Sequence, residues 1–198
     1  MLRTIRLSLL PAAALAACST PPAHTPPQEV PTGLQRREGE SFLQARVHYG
    51  IPILQRSFFW DGNGESDDFG PGLYAFHHYS DNVAFGFGGN LATWLLGGPD
   101  AYSGEFEGLA RIYPDATLPL FLDFSAGYLH ATEPVPPGGT EWNFTFGFGP
   151  GMEIPWGEGS SLLLGATYHH ISNALGHDNP RNPSQNEARL WVGYAWNF

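Results

Sequence analysis

The sequence predicts an all-β protein: an eight-stranded antiparallel transmembrane β-barrel, preceded by a signal peptide and a disordered Pro-rich tail. Three observations predict it. The chain is rich in aromatics (14%) and carries 25 glycines, but only 14% of its 198 residues are charged, against about 25% in an ordinary soluble domain. Eight segments alternate apolar with small or polar residues at period two, the pattern of a wall with an apolar outside and a filled inside. The chain also closes on aromatics at alternate positions, Tyr194, Trp196 and Phe198. Mean hydropathy is mildly negative, as expected of strands that are apolar on one face only.

The first element is a leader, residues 1–17. Arg3 and Arg6 form a basic start and Leu7 to Ala17 a short apolar stretch, too short to span a bilayer as a helix and suited to a secretory signal. Leu15-Ala16-Ala17-Cys18 has the look of a bacterial lipobox, in which Cys18 would be acylated. A plain cut after Ala16 also fits, and both readings export the chain. Cys18 is the single cysteine, so an internal disulfide is excluded. Residues 18–41 read as a disordered linker. Pro21, Pro22, Pro26, Pro27 and Pro31 interrupt it and few apolar residues support it.

The barrel is expected over residues 42–198. Strand-like segments fall at 43–58, 70–80, 82–96, 102–114, 118–131, 141–154, 161–173 and 186–198. In the clearest, Trp142, Phe144, Phe146 and Phe148 share one face, while Asn143, Thr145, Gly147 and Gly149 share the other. Val83, Phe85 and Phe87 alternate with Ala84, Gly86 and Gly88 in the same way. Leu118, Leu120, Leu122 and Phe124 alternate around Asp123 and Ser125, with Phe121 breaking the pattern. Breaks such as Asp61-Gly-Asn-Gly64, Gly97-Gly-Pro-Asp100 and Pro134 to Gly139 separate the segments. A soluble lipid-binding β-barrel would alternate too, with its apolar face inward. The glycine-rich polar faces and the ending Gly193-Tyr-Ala-Trp-Asn-Phe198 weigh against it. That ending resembles the C-terminal signal of bacterial outer-membrane proteins, except that Trp191 stands where a polar residue is usual. An even strand count places both termini on one side, the periplasm in such barrels.

The net charge is -10 and all nine basic residues are arginine. Without a basic stripe to meet phosphates, nucleic-acid binding is excluded.

The residues that carry chemistry lie in Tyr168-His-His-Ile-Ser-Asn-Ala174, at the outward end of the seventh segment. His170 and Ser172 are two apart, so their side chains leave one face of a strand, and a base beside a hydroxyl is the minimum for a serine esterase. Parity groups Leu162, Leu164, Ala166, Tyr168, His170 and Ser172 on the lipid face, with Asn186, Leu190, Val192 and Tyr194 beside them on the last strand. His169 and Glu187 then point inward. The bland alternative is a pair of rim residues that hydrogen-bond a loop. His77-His-Tyr-Ser-Asp-Asn82 imitates the motif, but topology puts it at the opposite end, where Ser80-Asp-Asn82 reads as a turn. The neighbouring pairs His77-His78 and His169-His170 each split across two faces, so no shared metal site is expected. The glycines of Gly147 to Gly151 precede no helix and form no phosphate loop.

The segment Asn143 to Phe198 resembles the C-terminal half of the lipid A 3-O-deacylase (PagL) family of outer-membrane enzymes. The matching pieces are Asn143-Phe-Thr-Phe-Gly-Phe-Gly-Pro-Gly151, Leu162-Leu-Leu-Gly-Ala-Thr-Tyr168, the core His170-Ile-Ser-Asn-Ala174, and Asn182-Pro183 before the last strand. Before Pro119 only barrel character carries over. The resemblance implies Ser172 as nucleophile, His170 as general base, Asn173 as an oxyanion donor, no cofactor and no metal. The family's third member is an acid four residues after the Asn of an Asn-x-Gly turn. Here that position is Asn186, and Ser184 replaces the turn glycine. Two assignments follow: Asn186 orients His170 through a neutral hydrogen bond, as parity favours, or a bulge swings Glu187 into place. The implied function is hydrolysis of an ester-linked acyl chain of lipid A in lipopolysaccharide, at the cell outer membrane, as a monomer or a homodimer. The rival is a non-catalytic structural or adhesive barrel.

Overall fold

The computed structural model describes residues 33–34, 36–53, 62, 64–115, 118–176 and 179–198. The leader, Cys18 and most of the linker lie outside the described residues. Eight strands follow in chain order: β1 (Ser41–Pro52), β2 (Asp67–Ser80), β3 (Val83–Leu95), β4 (Ala101–Ile112), β5 (Leu120–Ala131), β6 (Trp142–Gly157), β7 (Ser160–Ser172) and β8 (Gln185–Asn197). Each pairs antiparallel with its neighbours, and β1 closes on β8 from Phe42↔Asn197 to Pro52↔Glu187. The barrel is thus complete and leaves no sheet edge to aggregate.

Facing follows the alternation. Leu73, Phe87 and Phe106 turn outward with 56%, 62% and 62% of their surface uncovered, while Asp68, Glu107, Arg111 and Arg189 inside are at most 2% exposed. Apolar side chains out and charges in is the inverse of a soluble barrel, and it is the arrangement a bilayer selects. The soluble ligand-binding alternative is overturned on this ground.

The interior is filled in three layers. Towards the end where β1 begins and β8 finishes, Phe42, Phe76, Phe121, Leu163 and Trp191 pack together. Phe121 does not break its strand's alternation. It faces inward, with its ring where a Cβ on Gly151 would stand 2.2 Å away; Trp191 fits against Gly165 in the same manner. Narrow interiors need such glycines because two bulky side chains cannot share one level. Arg111 is enclosed there, 3.8 Å from the Phe121 ring centre and bound to both oxygens of Asp123 at 2.8 Å.

The middle layer is charged. Arg189 donates to Glu105 (2.8 Å) and Asp68 (3.2 Å), and Arg46 to Glu107 (3.2 Å). His48 Nε2 lies 2.8 Å from Asp68, and His169 lies between Glu187 at Nδ1 and Glu105 at Nε2. The third layer is apolar again, with Trp94, Leu129, Val135 and Ile171 at the far end. The cavity left beside the charges, lined by Arg46, His48, Glu107 and His169 among others, is about 10 Å³, room for a single water. Both apolar layers and the ion network therefore obstruct a solute path along the axis.

One boundary needs correction. The linker was expected to stay disordered up to residue 41. Instead Leu34 is buried in the lower core, its N–H donates to Glu153 (3.3 Å) and Ser161 (3.1 Å), and Arg36 pairs with Glu153 at 3.2 Å and covers the Tyr113 ring. The chain closes this mouth of the barrel before entering β1. The first strand, expected over 43–58, is described over Ser41–Pro52, and residues 54–58 of that expectation lie outside the described residues.

Candidate functional site

The site grows from the far end of β7 and β8. Their register is regular there: Tyr168↔Ala188, His169↔Glu187, His170↔Asn186 and Ile171↔Gln185. A regular register preserves facing, so His170 and Asn186 leave the outer wall together, and His169 and Glu187 enter the interior together. No bulge lies between them, and Glu187 is committed to His169 inside. The expectation that a bulge brings Glu187 to His170 is therefore corrected. Asn186 stands in that place, with its Oδ1 2.7 Å from His170 Nδ1.

This contact sets the ring's chemistry. An amide oxygen only accepts, so Nδ1 carries the proton and Nε2 keeps its lone pair. That is the tautomer a general base requires. Tyr168, two residues back on the same face, donates its hydroxyl hydrogen to the same Asn186 oxygen at 2.7 Å. His170 is only 6% exposed although it faces outward. Gly62 packs against the neighbouring Asn186, so close that a Cβ there would stand 2.7 Å from the Asn186 backbone nitrogen and 3.0 Å from its Nδ2.

Ser172 is the last residue of β7, on the same face as His170. Beyond it the backbone turns sharply. Ala174 takes φ 58°, a left-handed conformation that costs a residue with a Cβ about 1–3 kcal/mol. The turn aims the Ala174 N–H at Ser172 Oγ, 3.3 Å away. The hydroxyl itself donates to Asn182 Oδ1 (3.3 Å), which also accepts from the Asn173 N–H (3.2 Å). The Asn182 oxygen thus sits beside both the hydroxyl and a backbone donor.

Asn173 behaves differently from expectation. Its side chain points inward, 1% exposed. The amide nitrogen donates to Arg181 O (2.6 Å) and Thr140 Oγ1 (3.1 Å), while its oxygen accepts from Leu175 N. Both side-chain hydrogens are spent on Arg181 O and Thr140 Oγ1, so the side chain is no oxyanion donor. The structure therefore brings His170, Asn186 and Ser172 to one outer surface and takes Glu187 and the Asn173 amide away from it.

Sequence reasoning missed two participants. Tyr168 shares the parity of His170 and was visible as such, but a tyrosine at a barrel rim reads as part of an aromatic belt. Asn182 shows in the sequence only as half of an Asn-Pro pair, and loop residues have no periodicity that points to a contact.

The imitation motif stays apart from this surface. His78 is buried, stacked on Tyr113, and His77 Nδ1 meets Ser41 Oγ at 2.9 Å, at the end where β1 begins and β8 finishes. Among the described residues Glu105, Glu107 and His169 place metal-capable atoms within 4.8 Å of one another. Their carboxylates already neutralise Arg189 and Arg46, and Glu107 also accepts from Tyr74 (2.6 Å) and Asn90 (2.9 Å), so the cluster acts as an ion-pair network.

No family model matches the chain, and no curated protein matches it. Among solved structures it is similar to Neisserial surface protein A, with 16% identity and a TM-score of 0.55 over 81% of this chain and 100% of that one. It is also similar to the outer membrane protein OprG from Pseudomonas aeruginosa (11%, TM-score 0.49, 84% of this chain and 98% of that one). Ail, the attachment invasion locus protein of Yersinia pestis, is similar at 12% identity (TM-score 0.47, 81% and 99%). The likeness to the Neisserial protein establishes the fold, a closed eight-stranded barrel of the outer-membrane kind. It carries no catalytic role across, and the resemblance to lipid A deacylases rests on the residues of β6 to β8 alone.

Proposed function

We propose that this chain is an outer-membrane serine esterase that removes an ester-linked acyl chain from lipid A of lipopolysaccharide, without metal or cofactor. One observation carries the reading: the His170–Asn186 pair and Ser172 share the outward-facing side of the wall, at the end opposite the start of β1 and the close of β8. In a barrel whose termini face the periplasm, that end meets the outer leaflet, where lipopolysaccharide is. The signal peptide and a lipid tether at Cys18 belong to the same reading.

In the proposed reaction the Ser172 hydroxyl leaves Asn182 and turns to His170. Nε2 takes its proton while Oγ attacks the ester carbonyl. The backbone N–H of Asn173, released by Asn182, holds the developing oxyanion; losing one such donor typically costs about 2.7–4 kcal/mol of barrier. The imidazolium, supported at Nδ1 by the Asn186 oxygen, returns the proton to the leaving alkoxide. Water then attacks the acyl-serine with the same base, and a fatty acid departs. Asn186 stabilises the imidazolium less than a carboxylate would, so a slow enzyme is expected.

The placement of the Ser172 hydroxyl on Asn182 favours a second reading, a non-catalytic structural or adhesive barrel. A serine-reactive fluorophosphonate separates the two. On the refolded full chain in detergent, the esterase reading expects one phosphonyl adduct at Ser172, lost in Ser172→Ala and strongly slowed in His170→Asn. An unlabelled wild type, or labelling that survives Ser172→Ala, rules it out.

A further inference from the structure

The geometry points to Tyr168 as the positioning residue that fixes the Asn186 amide, and through it the tautomer of His170. This rests on the esterase reading for its consequence in catalysis, but the positioning itself does not depend on hydrolysis.

An asparagine in the orienting place raises a difficulty that a carboxylate does not. A carboxylate presents an acceptor whichever way it turns. An amide presents an acceptor on one side and a donor on the other. Turned over, it would offer Nδ2–H to His170 Nδ1, move the ring proton to Nε2, and remove the lone pair needed to take the serine proton. Something must hold the oxygen towards the ring. Tyr168 is placed to do so. Its hydroxyl donates to Asn186 Oδ1 at 2.7 Å, the distance at which His170 Nδ1 meets the same oxygen. Two donors converging on one oxygen favour the orientation that satisfies both, and a turned amide would lose them together.

The surroundings prepare this contact. Tyr168 lies opposite Ala188 in the ladder, whose small side chain leaves the phenol room to lean along the wall to Asn186. Phe148 packs against the ring with centroids 5.2 Å apart. On the other side of the amide, Gly62 leaves Nδ2 the space that a Cβ would take. Oxygen towards Tyr168 and His170 is thus held by two donors, and the space beside Gly62 leaves the amide nitrogen room.

The test is Tyr168→Phe, which keeps the ring and its packing and removes only the hydroxyl, made in the native background and in Asn186→Asp. The refolded full chain, labelled with ¹⁵N in its histidine rings, reports the tautomer directly, with His170→Asn identifying the signal among the eight histidines. The expected result is a His170 ring protonated at Nδ1 in the native chain and a mixture of tautomers in Tyr168→Phe. Where hydrolysis is measured, kcat falls about tenfold with KM unchanged, equivalent to about 1.4 kcal/mol, and by less than about twofold when Asn186→Asp is already present. A ring that stays protonated at Nδ1 without the hydroxyl overturns the proposal. So does an equal fall in kcat in both backgrounds, which marks Tyr168 as merely structural. If the native chain shows no hydrolysis at all, the esterase reading fails and the tautomer alone decides the role of Tyr168.

Discussion

On the proposed esterase reading, replacing His170 by Asn is expected to lower fatty-acid release by at least about three orders of magnitude while leaving the barrel intact. The size follows from the role. Without a base, the Ser172 hydroxyl must be deprotonated by water, and what remains is the contribution of the oxyanion donors and of substrate binding. The barrel survives because His170 faces outward and its described partner, Asn186, is on the same outer surface. Neither contributes to the three interior layers. The measurement is single-turnover release of labelled fatty acid from an ester lipid in mixed micelles, beside heat-modifiable gel migration as the fold control. A fall of less than about tenfold assigns proton transfer to some other group, and lost heat-modifiability makes His170 a structural residue.

Replacing Arg189 by Leu destabilises the barrel by about 3–5 kcal/mol. Arg189 is 2% exposed and its two terminal nitrogens reach Glu105 and Asp68. Around it four buried carboxylates, Asp68, Glu105, Glu107 and Glu187, face two arginines, Arg189 and Arg46, with His48 and His169 between them. Removing one arginine leaves carboxylates buried without their counter-charge, the situation in which a broken buried pair costs that much. The stability is read from urea unfolding of the full chain folded into lipid vesicles. Arg181, an exposed loop residue, provides the comparison: Arg181→Leu shifts stability by no more than about 0.5 kcal/mol. Equal effects at the two positions would show that the interior network is dispensable.

Period-two alternation made the wall legible because it reports facing directly: it ordered all eight strands and placed His170 and Asn186 outside, His169 and Glu187 inside. It misjudged Phe121 because an inward aromatic is acceptable where a neighbouring strand offers Gly151, a contact between segments that no single strand displays. Leu34 and Arg36 escaped for a related reason. Proline-rich composition describes a chain by itself, whereas Glu153 and Ser161, their partners, lie more than a hundred residues on. Within the site, parity was enough to prefer Asn186 over Glu187. It said nothing about the loop after Ser172, where a left-handed Ala174 and the Asn182 side chain decide what the Ser172 hydroxyl meets. The Asn173 amide was misassigned because its burial against Thr140 and Arg181 depends on how that loop folds back.

The central claim is that Ser172 hydrolyses an acyl ester of lipid A. The most direct measurement is mass spectrometry of lipid A from outer membranes of cells producing the full chain or its Ser172→Ala variant at equal levels. The expected result is lipid A lacking the mass of one ester-linked acyl chain with the native protein and unaltered lipid A with the variant. Identical lipid A in both, with the barrel present and folded in the membrane, contradicts it.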